Sequence, residues 1–81
     1  MVRNIVINKG HKEYEIIPYS GSGYEPYNGE YGRFQAKVIF KMYDNEDYNV
    51  MRYREYNHWF YFDSNRNLYL TKNSKEIFGK L

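Results

Sequence analysis

The sequence predicts a mainly β protein: an antiparallel sheet of five or six short strands, curled or closed into a small barrel, with a short C-terminal helix. Three observations carry this expectation. Along residues 33–43, Phe34, Ala36, Val38, Phe40 and Met42 fall on one parity and Arg33, Gln35, Lys37, Ile39, Lys41 and Tyr43 on the other. Successive side chains of a strand point to opposite faces, so this is a strand with an apolar inner face and a basic outer one, and it sits at the centre of the expected sheet. Aromatic residues make up 21% of the chain, 11 of them Tyr, against a single Ala at position 36. Such side chains suit a pleated, half-buried surface and exclude the usual Ala/Leu helical bundle. Finally, the short apolar runs are separated by Gly- and Asn-containing stretches of the kind that close hairpins.

Taken in order, Ile5, Val6 and Ile7 and then Tyr14, Ile16 and Ile17 flank the turn-like residues 8–12 (NKGHK). They read as an N-terminal hairpin whose second strand ends at Pro18, because proline cannot donate to a ladder. Residues 19–32 (YSGSGYEPYNGEYG) contain four of the six Gly, one of the two Pro, two Ser, and Tyr19, Tyr24, Tyr27 and Tyr31. This is a loop, longer than most connections inside a compact domain, and loops of that length are usually functional or disordered.

The central strand follows, then a polar turn over 44–49 and a strand over 50–56. Pairing the two strands places Phe40 opposite Tyr53 and Met42 opposite Met51 inside, with Lys41 opposite Arg52 and Ile39 opposite Arg54 outside. After a break at Asn57-His58 come an aromatic strand over 59–62, a turn over 63–67 and a last strand over 68–72. Here Trp59 and Tyr61 are expected on the face of Leu68 and Leu70, and Phe60 and Phe62 on that of Tyr69. A hairpin apolar on both faces is either sandwiched or a self-association surface. Ser74 reads as the N-cap of one or two helical turns over 75–80, stopped by Gly79, with Ile77 and Phe78 covering a sheet end.

Length and composition bound the function. A chain of 81 residues makes one domain, residues 1–81, and buries only about 60% of its unfolded surface. The absence of Cys excludes disulfides, thiolate zinc sites and cysteine nucleophiles, and favours the cytoplasm over secretion. No apolar run approaches the roughly 18 residues that span a bilayer, and the N-terminal residues MVRNIVINKG read as neither signal peptide nor anchor, so no membrane partner is expected. The net charge of +2 does not mark a nucleic-acid binder, but its distribution is uneven. Cations dominate residues 1–12 and 33–43, and carboxylates dominate residues 13–30 and 44–47, a pattern of separate surfaces of opposite sign.

Motifs for chemistry are missing, so an enzyme is not expected, nor is a cofactor or metal. His11 and His58 lie in expected turns without ligand-spaced neighbours, and Asp44, Glu46 and Asp47 lack the Gly and distal Glu of a calcium loop. Ser20, Ser22, Ser64 and Ser74 have no nucleophile context. Gly21-Ser22-Gly23 is followed by neither the lysine of a phosphate-binding loop nor a helix N-terminus. Residues 59–70 (WFYFDSNRNLYL) resemble one unit of the repeats of choline- and glucan-binding cell-wall modules, which pair a Trp-x-Tyr-Phe strand with an Asp-x-Asn-Gly turn. Arg66 stands where the repeat has Gly, and the unit does not recur. Those modules form their sites between successive repeats, so the resemblance implies an aromatic hairpin and no binding residues.

Two surfaces remain as candidates. One is the outer face of the central hairpin, where Arg33, Lys37, Lys41, Arg52 and Arg54 are expected beside Tyr43 and Tyr56. Like charges opposite one another are destabilising, so an anion is required there, either from a partner or from Glu13, Glu15, Glu25, Glu30 and Glu55. The other is the loop with Tyr19, Tyr24, Tyr27 and Tyr31, whose Tyr/Gly/Ser/Asn mixture is that of adaptable binding loops. The expected function is a non-enzymatic binding protein that occupies a protein partner with an acidic surface. Asn, Lys, Tyr and Ile, all with A/T-rich codons, make up 33 of the 81 residues. This points to an A/T-rich bacterium or a phage or mobile element within one, and to an inhibitor of a host protein, such as an enzyme that handles nucleic acid. The alternative is a single-stranded RNA- or DNA-binding domain using the same cations with Tyr43 and Tyr56 as stacking platforms. A homodimer through residues 59–70 is a further expectation.

Overall fold

The computed structural model describes residues 4–21, 23 and 31–81. These form one six-stranded antiparallel sheet in sequence order: β1 (Ile5–Lys9), β2 (Lys12–Pro18), β3 (Gly32–Tyr43), β4 (Val50–Phe62), β5 (Asn67–Tyr69) and β6 (Gly79–Lys80). The sheet curls until its two edge strands approach each other. Gly79 of β6 lies under Ile7 of β1, where a Cβ would come within 2.5 Å of Ile7 Cδ1, and the Lys9 ammonium sits 4.7 Å from the centre of the Phe78 ring. The expected curled or barrel-like sheet is therefore the fold, and no helix of the described residues is long and apolar enough to cross a membrane.

Each turn follows from its local chemistry. Lys9 pairs with Lys12 around Gly10-His11, and Gly10 has φ +63° while His11 does not take a positive φ. A two-residue hairpin with Gly in the first central position matches the right-handed twist of its strands. At the 63–67 turn the Arg66 N–H donates to Asp63 O (3.0 Å), Asp63 N–H donates to Asn67 O (3.2 Å), and Arg66 has φ +65°. This is a three-residue loop whose last member is left-handed, the position that favours glycine.

The core lies on the concave face. Phe34, Ala36 and Val38 of β3 meet Phe60 and Phe62 of β4, Ile7 and Ile16 of the first hairpin, Leu68 and Phe78. The Phe34 ring stacks 5.7 Å from Phe60 and lies tilted 6.0 Å from Phe62. Burying each such side chain contributes about 1.5–3 kcal/mol, so these few residues supply most of the driving force.

Four expectations are corrected. Residues 50–62 are one continuous strand, with no break at Asn57-His58. The C-terminal helix does not form. Ser74 Oγ does accept the Glu76 N–H (3.3 Å), but residues 79–80 instead pair with β5, with Phe78 N–H donating to Leu68 O and Leu81 N–H to Arg66 O. Six residues are too few to nucleate a helix, while strand pairing satisfies the backbone and still buries Phe78. The register of β3 with β4 differs by one residue from the expected one: Phe40 faces Arg54, Lys41 faces Tyr53 and Met42 faces Arg52, with an irregularity between Met42 and Tyr43, which faces Val50. The same one-residue slip occurs in the next hairpin, where Tyr61 faces Tyr69 and Phe62 faces Leu68. The first slip comes from the irregularity beside Met42 and Tyr43, the second from the three-residue loop that ends on left-handed Arg66, and a shift of one exchanges the faces of a strand.

Candidate binding surface

The corrected register divides the expected basic cluster between two faces of the sheet. On the convex face β3 presents Arg33, Lys37 and Lys41, and opposite them on β4 stand Tyr61, Asn57 and Tyr53. Across on β2, Glu13 lies beside Lys41, Glu15 beside Ile39 and Ile17 beside Lys37. Anions are thus interleaved with the cations. Lys37 Nζ pairs with Glu55 Oε1 at 2.9 Å, and this hydrogen bond, reinforced by the opposite charge, raises the Lys37 pKa. The Tyr43 hydroxyl donates to Glu13 Oε2 (3.4 Å), and the Tyr19 hydroxyl donates to Asn57 Oδ1 (2.5 Å). The Arg33 guanidinium lies 5.4 Å from the centre of the Trp59 ring. Of the carboxylates considered for this face, Glu13, Glu15 and Glu55 are on it; Glu25 and Glu30 lie outside the described residues.

Arg52, Arg54 and Tyr56 are on the concave face instead, in register with Met42, Phe40 and Val38. The first hairpin continues the same rows: Lys12 beside Met42, Tyr14 beside Phe40, and Lys9 paired with Lys12. The Arg54 guanidinium lies 5.3 Å from the Tyr56 ring centre. Burial pushes the Tyr56 hydroxyl above its ordinary pKa, with the Tyr14 ring adding to the rise and Arg54 opposing it. Reading the strands by parity, Lys9, Lys12, Arg52 and Arg54 share this face with no carboxylate of β1 to β4. Lys9 and Lys12 were not among the sequence candidates, although their position flanking a two-residue turn places them side by side on one face.

Of the loop tyrosines, the structure describes Tyr19 and Tyr31. Tyr24 and Tyr27 lie outside the described residues. Tyr31 stacks on Tyr69 with ring centres 4.9 Å apart and its hydroxyl donates to Ser74 O (3.1 Å), which assigns it to the body of the fold. Tyr19 remains accessible on the convex face.

The β3–β4 hairpin ends in an arm beyond the buried core, flanked along β3 by β2 as far as Lys12 opposite Met42 and by His11, whose C=O accepts the Tyr43 N–H. There Tyr48 is 75% exposed, Met51 66%, Tyr53 52% and Val50 50%. Four of the nine exposed large apolar side chains among the described residues fall within residues 48–53. The turn that carries them is held by Asp44, whose Oδ1 accepts the N–H groups of Glu46 (3.0 Å) and Asp47 (2.7 Å). A shallow depression beside it, about 460 Å³, is lined by His11, Met42, Tyr43, Asp44, Glu46 and Met51 among others.

His58 is not solvated as a turn residue would be: its Nε2–H donates to Leu70 O (2.9 Å) and its ring packs edge-on against Phe60. Among the described residues no group of three His, Asp or Glu is placed to hold a metal ion. Comparison of the chain with protein-family models, curated proteins and solved structures finds no match.

Proposed function

We propose that this chain is a non-enzymatic binding protein of the cytoplasm that acts by occupying an acidic surface of a protein partner with the arm formed by β3 and β4. The observation that carries this reading is the concentration of exposed Tyr48, Val50, Met51 and Tyr53 around the exposed Arg52 and Arg54. Side chains left in water forgo the stabilisation of burial, a clustered exposed apolar patch marks an interaction site, and Tyr, Met and Arg are the residue types enriched at the centres of protein interfaces. The cations of the convex face support the reading less, because Lys37 is already paired with Glu55 and Lys41 stands in register with Glu13.

A second reading, a single-stranded nucleic-acid binder, is favoured by one observation. Lys9, Lys12, Arg52 and Arg54 line the concave face beside Tyr14 and Tyr56 without a strand carboxylate among them. Such a binder would lose affinity steeply as salt rises, because each phosphate contact releases a counterion.

The test compares the wild-type chain with a variant carrying Tyr48→Ser, Met51→Ser and Tyr53→Ser as baits in the native cell, and measures oligo-dT and oligo-U binding at low salt in parallel. A protein retained by the wild type and lost from the triple variant supports the arm reading. Retention undiminished in the variant removes it, and oligonucleotide binding that Arg52→Glu and Arg54→Glu abolish would put the second reading in its place.

A further inference from the structure

We infer that the open edge of β4 along residues 53–57 accepts an extended acidic segment of the partner as an added β-strand, with carboxylates at alternate positions set against Arg52 and Arg54. This rests on the arm being the binding element and specifies how it binds.

The direction of each backbone group follows from the ladder. Tyr19 N–H donates to Gln35 O (2.9 Å) and Tyr43 N–H to His11 O (2.8 Å). Hydrogen bonding alternates along an antiparallel strand, so the odd residues of β3 bond to β2 and the even ones to β4. In β4 the residues opposite those even positions are Arg52, Arg54, Tyr56 and His58, which leaves Tyr53, Glu55 and Asn57 with N–H and C=O groups directed away from β3. On that side β5 pairs with β4 only at Tyr61 and Phe62, consistent with odd residues facing outward. After Tyr69 the chain turns off, and a notch of about 380 Å³ opens between Asn57 and Trp59 on one side and Leu70 and Thr71 on the other. No described strand covers the edge from that notch to the arm's tip. An unpaired edge of this kind is a template for strand addition; it carries no proline, and its concave-side charges, Arg52 and Arg54, oppose a basic or neutral strand while favouring an acidic one.

Charge decides the occupant. A second copy would have to align its own outward-facing odd residues with these. Antiparallel alignments centred on residue 53, 54 or 55 set Arg52 against Arg54, Arg54 against Arg54, or Glu55 against Glu55, each a like-charge pair directly opposite, which is destabilising; the alignment centred on Tyr56 avoids this only by carrying the second copy onto Trp59, where Leu70 and Thr71 stand beside the edge. A foreign strand avoids this. Arg52 and Arg54 stand two residues apart on the concave face, roughly 6.5–7 Å along the strand, the spacing at which alternate side chains of an added strand recur. Carboxylates at those positions would meet one guanidinium each, while the intervening side chains face exposed Tyr53 and the Lys37–Glu55 pair on the convex side, favouring apolar residues near the tip.

The probe is a labelled eight-residue peptide alternating Glu and Val, titrated into isotope-labelled full-length protein and followed by amide exchange and chemical shifts. The expected result is that the amides of Tyr53, Glu55 and Asn57 exchange fast in the unbound chain, and that peptide slows them at least tenfold. N-methylation of the peptide's alternate edge-facing amides should weaken binding at least tenfold. Replacing its Glu by Lys should do the same, and Arg52→Glu with Arg54→Glu should restore binding of the Lys peptide. Peptide binding that leaves those three amides unprotected, or ignores N-methylation, overturns strand addition, as does the absence of peptide binding up to millimolar concentration. In each of those cases the arm reading still stands if the Ser variant loses its protein partner. A dimer mass in sedimentation that Arg52→Glu breaks, or an oligonucleotide that binds in place of the peptide, overturns the acidic-segment inference in favour of another occupant.

Discussion

At the scale of single residues, the 63–67 turn combines a strained backbone with a charge held in place. Arg66 sits at φ +65° in the last position of the loop. For an L-residue with a Cβ the left-handed region costs roughly 1–2 kcal/mol, partly offset on replacement by glycine's larger loss of backbone entropy. Arg66→Gly is therefore expected to stabilise the chain by up to about 1 kcal/mol, read as a higher urea midpoint at unchanged slope. Within the same turn Asp63 accepts the N–H groups of Asn65 (2.9 Å) and Asn67 (3.0 Å), the Asn67 side-chain amide (3.1 Å) and the Tyr69 hydroxyl (2.9 Å). Desolvation opposes the Asp63 charge, but the Asn67 backbone, Tyr69, the Asn67 side chain and Asn65 together outweigh it and hold the carboxyl below its ordinary value of 3.8. The bond to Asp63 in turn raises the Tyr69 pKa. A carboxyl with a depressed folded pKa contributes stability that is fully present above its unfolded value and disappears as pH falls through the folded one. Unfolding midpoints at pH 7 and pH 3 should accordingly differ less in Asp63→Asn than in the wild type; an unchanged difference would show that Asp63 has no part in the acid sensitivity.

At the scale of elements, how much could be read in advance depended on whether a short-range pattern decided the outcome. The strand over 33–43, the first hairpin and the stop at Pro18 were legible because parity, a Gly-containing turn and proline act locally. Pairing of β3 with β4 was legible as a hairpin but not in register, because one added residue near Met51 reverses which side chains of β4 face inward. The decisive constraint lay at the other end of the strand. Phe60 and Phe62 are 1% and 4% exposed and must share a face with Phe34. Because β4 runs without a break, that requirement carries Tyr56, Arg54 and Arg52 inward with them, while Tyr53 and Met51 turn out. Reading residues 50–56 and 59–62 as separate strands removed this long-range coupling, and the five-cation cluster followed from its removal. The apolar character of both faces of the second hairpin was visible in the sequence. Coverage of one of them by Tyr31 against Tyr69 was not, since it joins residues 38 apart.

At the scale of the whole molecule, the buried core and the exposed side chains at the tip of β3 and β4 occupy different ends of one sheet and should differ in their share of the stability. The radius of gyration is 13.6 Å and the extents are 47 × 25 × 17 Å, against roughly 11.7 Å for a compact domain of this length, in keeping with the 12- and 13-residue strands β3 and β4 that set the long axis. The fully buried rings all lie at the core end, where Phe60 contacts Phe34, His58 and Phe78. Removing that ring in Phe60→Ala should cost about 3–5 kcal/mol, a large part of the roughly 4–12 kcal/mol expected for a domain of this size. Since about 1 kcal/mol shifts the melting temperature of such a domain by roughly 4–8 °C, the fall should exceed about 12 °C. Exposed positions away from the core change stability by about 0.5 kcal/mol or less each. Met51→Ser with Tyr53→Ser should therefore lower the melting temperature by no more than about 4–8 °C, well short of the Phe60→Ala fall, while abolishing capture of the partner. Thermal melts of the two variants by circular dichroism separate the cases: an arm variant as unstable as Phe60→Ala would mean that Met51 and Tyr53 belong to the fold, and their exposure would no longer argue for a partner.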